Sequence, residues 1–155
     1  MSGVSARVAK KVPLNCQASR CSKDGCKLDL IGSPQQRVVV DLDCKSLSLP
    51  GDQKRCDYVF IGEENNTIWI SPIELKSGRF SVSGALDQLN GGIGVVDKWL
   101  PQGVALQFVP VLAHGKSIQK EDRRRLLSRS LKLRGKTSKT MLLKCGDRLT
   151  KALRA

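Results

Sequence analysis

The apolar positions repeat with a period of two in some stretches and near 3.6 in others, and these periods divide the chain into elements. Residues 36–43 contain Val38-Val39-Val40 and read as a strand. Residues 55–61 place Val59 and Ile61 in alternation with Tyr58 and Phe60, which predicts a second strand. Residues 67–76, with Ile68, Trp69, Ile70, Ile73 and Leu75, predict a third. Turn chemistry over residues 62–66 joins the last two strands, so they should form an antiparallel hairpin. Leu86, Leu89, Ile93 and Val96 then recur at helical spacing within residues 82–100. Gly91, Gly92 and Gly94 weaken that helix, and Pro101 stops it. Residues 104–113 predict a buried strand, and 117–130 a helix with Ser117 as N-cap and Asp122 in its first turn. Residues 139–144 predict a last strand and 147–153 a short final helix. Residues 1–35 are polar, Cys-bearing and broken by Gly25, Gly32 and Pro34, and read as irregular. The expected fold is α/β: a small mixed central sheet flanked by helices over residues 36–155, preceded by the irregular segment 1–35.

Composition adds partners and compartment. A chain of 155 residues, 40% hydrophobic and 26% charged, can bury one core and is not disordered. No apolar run is long enough to span a bilayer, so no membrane partner is expected. The basic start lacks an apolar h-region, so no secretory signal is expected, and the six cysteines are expected as thiols in a reducing cytoplasm. The net charge of +13 is concentrated at the ends. From residue 116 onward fourteen Lys/Arg face three acidic residues. Such a surface attracts a polyanion through phosphate contacts and counterion release. With three Phe, two Trp and one Tyr, base stacking is not the expected mode, and contact with a nucleic-acid backbone is. The candidates are Arg123 and Arg124 at the start of a helix, and Lys132, Arg134, Lys136 and Lys139, where Gly135 permits close approach. His114, the single His, has no identified partner and reads as structural.

The hairpin carries the candidate chemistry. If its turn centres between Glu64 and Asn65, Asp57 faces Pro72, and Glu74 is a diagonal neighbour on the same face, roughly 7–8 Å away. Lys76 shares that face, while Ile73 and Leu75 point into the core. Pro72 cannot donate to the ladder, so its strand should be an edge or bulged. Two carboxylates on one face call for a hard cation between them, and Mg²⁺ or Mn²⁺ suits oxygen ligands and keeps waters for chemistry.

Cys56-Asp57-Tyr58-Val59-Phe60 followed by Ile73-Glu74-Leu75-Lys76-Ser77-Gly78 resembles the PD-(D/E)XK nuclease superfamily, and Gln88 on the following helix resembles its RecB-type branch. The resemblance covers about residues 36–114. It implies a restriction-endonuclease-like core, with Asp57, Glu74 and the Leu75 carbonyl as metal ligands, Lys76 as the catalytic lysine and Gln88 as its supporting polar residue. It also implies a second copy where both strands of a duplex are cut. Cys56 stands in place of the motif's Pro, and the family's additional acidic residue is not evident. Asp41 and Asp43 are the nearest candidates.

Cys16, Cys21 and Cys26 are evenly spaced, and with Cys44 they could form a four-thiolate Zn²⁺ site that staples a segment lacking a core. The function implied is a Mg²⁺- or Mn²⁺-dependent endonuclease acting on DNA. Two other readings stay open: a nucleic-acid-binding module without catalysis, and a zinc-stapled interaction protein.

Overall fold

The computed structural model describes residues 3–155. In chain order its strands are β1 (Cys21–Lys23), β2 (Cys26–Leu28), β3 (Gln36–Asp41), β4 (Tyr58–Glu64), β5 (Thr67–Lys76), β6 (Gln107–Phe108), β7 (Val111–His114), β8 (Ser130–Leu133), β9 (Lys136–Lys139) and β10 (Met141–Lys144). The helices are α1 (Val4–Ala9), α2 (Val82–Asp97), α3 (Lys120–Ser128) and α4 (Thr150–Leu153). A six-stranded mixed sheet runs β10-β7-β5-β4-β3, with β6 beside the start of β5. β3, β4 and β5 are antiparallel, while β6, β7 and β10 run parallel to β5. The mixed α/β class is as the hydrophobic periods indicate.

The β4–β5 hairpin turns on Asn65 and Asn66, both left-handed (φ 51° and 65°), which gives the tight two-residue turn whose twist suits paired strands. The turn therefore centres one position later than expected, and every cross-strand partner moves by two. Pro72 pairs with Val59, and Asp57, just before β4, comes level with Glu74. Because the shift is even, no side chain changes face. Nor is Pro72 on an edge or bulged strand: β5 is central. Its missing donor is tolerated because the parallel neighbour is interrupted at Val109-Pro110, between β6 and β7, and the single strand expected over 104–113 is split there.

One face of the sheet packs Val40, Val59, Ile61 and Ile70 against α1 and against Leu89, Ile93 and Val96 of α2. The other packs Val39, Phe60, Ile73 and Leu75 against the β1–β2 hairpin and α4. Ser81 caps α2 by accepting the Gly84 amide at 3.0 Å. Gly91 and Gly92 let α2 press onto residues 54–56: a Cβ at Gly91 would lie 1.8 Å from the Lys54 carbonyl oxygen, and one at Gly92 2.2 Å from Cys56 Sγ. α3 begins later than expected, at Lys120, with Gln119 rather than Ser117 at its N-cap.

Residues 3–35 are not an irregular lead. Val4, Val8 and Val12 enter the α2-side core, and the Glu63 carboxylate accepts the Ser5 amide at 2.9 Å and its hydroxyl at 2.7 Å. Residues 130–139 form a hairpin, β8–β9, whose turn uses Arg134 and Gly135 (φ 48° and 82°). The cysteines also correct the expectation. Cys16 bonds Cys44 and Cys26 bonds Cys145, while Cys21 and Cys56 are buried free thiols. The Zn²⁺ set of Cys16, Cys21, Cys26 and Cys44 is thus split between two disulfides and a buried thiol, and the disulfides depart from the reducing-compartment reading. Among the described residues no helix is long and apolar enough to cross a membrane.

Candidate active site

Asp57, Glu74, Lys76 and Gln88 converge on the α2 face at the carboxyl end of β5. Asp57 and Glu74 are almost fully buried, at 3% and 1% exposure. They add to the ladder where β4 has not yet begun, beside the bond from the Asp57 amide to the Ile73 carbonyl at 3.0 Å. Asp57 Oδ2 accepts the Leu75 amide at 2.7 Å, and Glu74 Oε1 accepts the Asp57 amide at 3.1 Å. Leu75 enters the site through that amide, while its side chain lies in the opposite core. Lys76 Nζ stands 2.8 Å from Glu74 Oε2 and donates to Gln88 Oε1, also at 2.8 Å. An ammonium has three N–H donors, so one remains for a substrate.

Burial, and then the charge of Asp57 beside it, push the Glu74 carboxyl up to about 7, against the opposing pull of Lys76. A cation beside Glu74 would favour its ionised form. Sequence reasoning missed the group that holds Asp57: Lys23 Nζ lies 2.6 Å from Asp57 Oδ1 and 3.2 Å from Asp43 Oδ2. Burial works to lower the Lys23 pKa, but the hydrogen bond and charge of Asp57 outweigh it and the net shift is upward. Lys23 sits at the tip of the β1–β2 hairpin, turned by Asp24 and Gly25 (φ 50° and 84°). That Asp-Gly pair was the readable signal for the hairpin. Asp43 also takes Arg55 Nε at 3.4 Å. An open cavity of about 390 Å³, lined by Asp43, Gln53, Lys54, Arg55, Gly84 and Gln88, adjoins the site.

The donor set fits a hard divalent cation in kind, since both carboxylates offer oxygen. Among the described residues no third His, Cys, Asp or Glu joins them in a metal-binding group.

Of the basic residues expected to contact nucleic acid, those of the β8–β9 hairpin lie elsewhere. Arg134 is structural. Its Nε pairs with Asp97 Oδ1 at 2.7 Å, and its guanidinium donates to the carbonyls of Asp97, Leu100 and Pro101, closing the C-terminus of α2. Arg124 pairs with Glu121 at 3.2 Å, and Arg123 is exposed on α3. Lys132, Lys136 and Lys139 are exposed on the β8–β9 hairpin. β9 packs on β6, which pairs with Trp69 and Ile70. Ile70 lies six residues before Lys76 on β5, about 20 Å along the strand. Gly135 serves that hairpin's turn.

Comparison with protein-family models, curated proteins and solved structures finds no match.

Proposed function

We propose that this chain is a metal-dependent nuclease that hydrolyses phosphodiester bonds, and within that class a DNA endonuclease. The observation that carries the reading is the convergence of two buried carboxylates with a lysine held between Glu74 and Gln88. The resemblance to PD-(D/E)XK nucleases and the net charge of +13 support the same class.

Asp57, Glu74 and the Leu75 carbonyl would hold Mg²⁺ or Mn²⁺, which supplies Lewis acidity toward the phosphate and activates water when bound. Lys76 uses its free N–H to orient the attacking water or to stabilise charge on a phosphoryl oxygen in an in-line displacement. Gln88 fixes Lys76, and the Leu75 amide fixes the orientation of Asp57. Lys23, 2.6 Å from Asp57 Oδ1, would compete with a cation for that oxygen.

The test is cleavage of supercoiled plasmid by wild type and Lys76→Ala with Mg²⁺, Mn²⁺ or EDTA. Nicking or linearisation by wild type only, blocked by EDTA, is the expected result. Equal cleavage by Lys76→Ala refutes the assignment. One observation favours a second reading, a nucleic-acid-binding module without catalysis: Lys23 and Lys76 already balance Asp57 and Glu74 without any metal. Duplex binding with no cleavage under any of these conditions would select it.

A further inference from the structure

The carboxyl ends of β7 and β10, beside that of β5, carry polar groups that the cleavage chemistry does not use. The two parallel registers set Lys76, His114 and Lys144 level with one another. Partners in register share a face, so His114 and Lys144 stand on the same side as Lys76 and α2. Strands lie about 4.8 Å apart, so the row extends about 10 Å from Lys76. The next residues are drawn in by a close backbone approach. The Gly115 amide donates to the Lys76 carbonyl at 2.8 Å, and a Cβ at Gly115 would fall 2.7 Å from the Ser77 carbonyl oxygen.

The result is an open cavity of about 310 Å³ lined by His114, Gly115, Lys116, Ser117, Lys144 and Cys145. Its Lys116-Ser117 wall also borders a second cavity that includes Arg79. No ion pair among the described residues includes Lys116, Lys144 or Arg79. Asp147 takes the Lys144 backbone amide at 2.8 Å and pairs with Lys151 at 3.4 Å, and Asp122, which lines the second cavity, pairs with Arg125 at 3.6 Å. His114 Nδ1 meets the Lys116 carbonyl at 2.9 Å. A carbonyl only accepts, so Nδ1 carries a hydrogen, and this bond fixes the ring at the cavity wall.

We propose that this cavity binds a backbone phosphate of a nucleic-acid strand flanking the bond to be cut. Lys116 and Lys144 supply the charge, and the Ser117 hydroxyl supplies a hydrogen bond, with the His114 ring lining the cavity beside them. A row about 10 Å long matches about three nucleotide rises of 3.4 Å, so the strand must continue past the cut on the β10 side. This rests on the nuclease reading for its register relative to the cut, but binding is measurable without catalysis.

The experiment is fluorescence anisotropy of a labelled duplex in EDTA across 50–200 mM salt. Wild type is compared with Lys116→Ala/Lys144→Ala and with Lys132→Ala/Lys136→Ala, the pair at the opposite end of β5. At a salt slope of about 0.9 per phosphate contact, losing two contacts makes the slope shallower by about 1.8 and weakens binding at 0.1 M salt about 60-fold. That result, exceeding the loss in the Lys132/Lys136 pair, supports the proposal. No loss in the Lys116/Lys144 pair, or an equal loss in both, overturns it. His114 is the single histidine, so its ring NMR signal reports the cavity directly. A shift with inorganic phosphate but none with duplex assigns the cavity to a free anion and overturns the strand reading. Duplex binding that needs Lys116 and Lys144 but brings no plasmid cleavage removes the nuclease reading and leaves the phosphate site standing.

Discussion

Helix α2 contains two glycines, Gly91 and Gly94, for which substitution by alanine should act in opposite directions. At Gly94 an added Cβ meets nothing within 4 Å. Gly94→Ala should therefore give the ordinary helix-propensity gain, about 1 kcal/mol. At Gly91 the Cβ would stand 1.8 Å from the Lys54 carbonyl oxygen, 2.3 Å from its carbon and 3.0 Å from the Arg55 nitrogen, all backbone atoms. Reaching an ordinary 3.4 Å contact requires the helix or the loop to give by about 1.6 Å. Overpacking of this kind costs about 1–3 kcal/mol, which exceeds the propensity gain, so Gly91→Ala should destabilise by up to about 2 kcal/mol net. The displacement also bears on the site. Gln88 lies one turn earlier, and its 2.8 Å bond to Lys76 would not survive a shift of that size. Urea unfolding of the three proteins, read as changes in midpoint at constant m-value, measures both signs. If Gly91→Ala and Gly94→Ala move stability in the same direction, the helix does not rest on residues 54–55 and the reasoning fails.

Three further outcomes follow from the site and its supports. Glu74 is raised from 4.5 to about 7, so protonation favours the fold. Its contribution of about 3 kcal/mol is fully present below pH ~4.5 and is lost as pH rises through ~7. Unfolding in EDTA from pH 4 to 8 should show that decline in wild type and not in Glu74→Gln, and parallel curves would rule it out. Lys23→Ala should tighten Mn²⁺ binding roughly fivefold in calorimetry, the equivalent of about 1 kcal/mol for a pair whose lysine is 42% exposed, whereas weaker binding would mean that Lys23 assists the cation. The disulfides close loops of 119 and 28 residues. Loop entropy then makes Cys26→Ser/Cys145→Ser cost about 4.9 kcal/mol and Cys16→Ser/Cys44→Ser about 3.6 kcal/mol, an order that thermal unfolding can contradict.

What the sequence revealed was local. Asp57, Glu74, Lys76 and Gln88 come together through a period-two hairpin and the helix after it, and both periods are visible in a single chain. The turn was misplaced by one residue because Glu64, Asn65 and Asn66 all suit turns. Only the left-handed pair Asn65-Asn66 decides the centre, and the even shift spared the faces. What stayed hidden depends on distant neighbours. Pro72 looks like an edge residue until the break opposite it is known. Arg134 looks like a phosphate contact until the end of α2 is brought to it. Lys23 reaches Asp57 from 34 residues away, and no periodicity reports that. The glycines of α2 read as a weakness in the helix, and at Gly91 and Gly92 they are the condition for its seat.

The sheet's two margins bear on how copies of this chain can meet. Ala18 donates to the Val39 carbonyl at 2.8 Å, and Gln17 forms a bridge with Val40, so the N-terminal segment occupies the middle of β3's outer side. At the other margin β10 is only four residues long, and the chain leaves it at once as the Gly146 amide bonds Lys27. Short or covered margins resist the strand-to-strand addition that leads to aggregation. Under the proposed nuclease reading, two copies cutting both strands of a duplex would associate through helices and loops rather than through these margins.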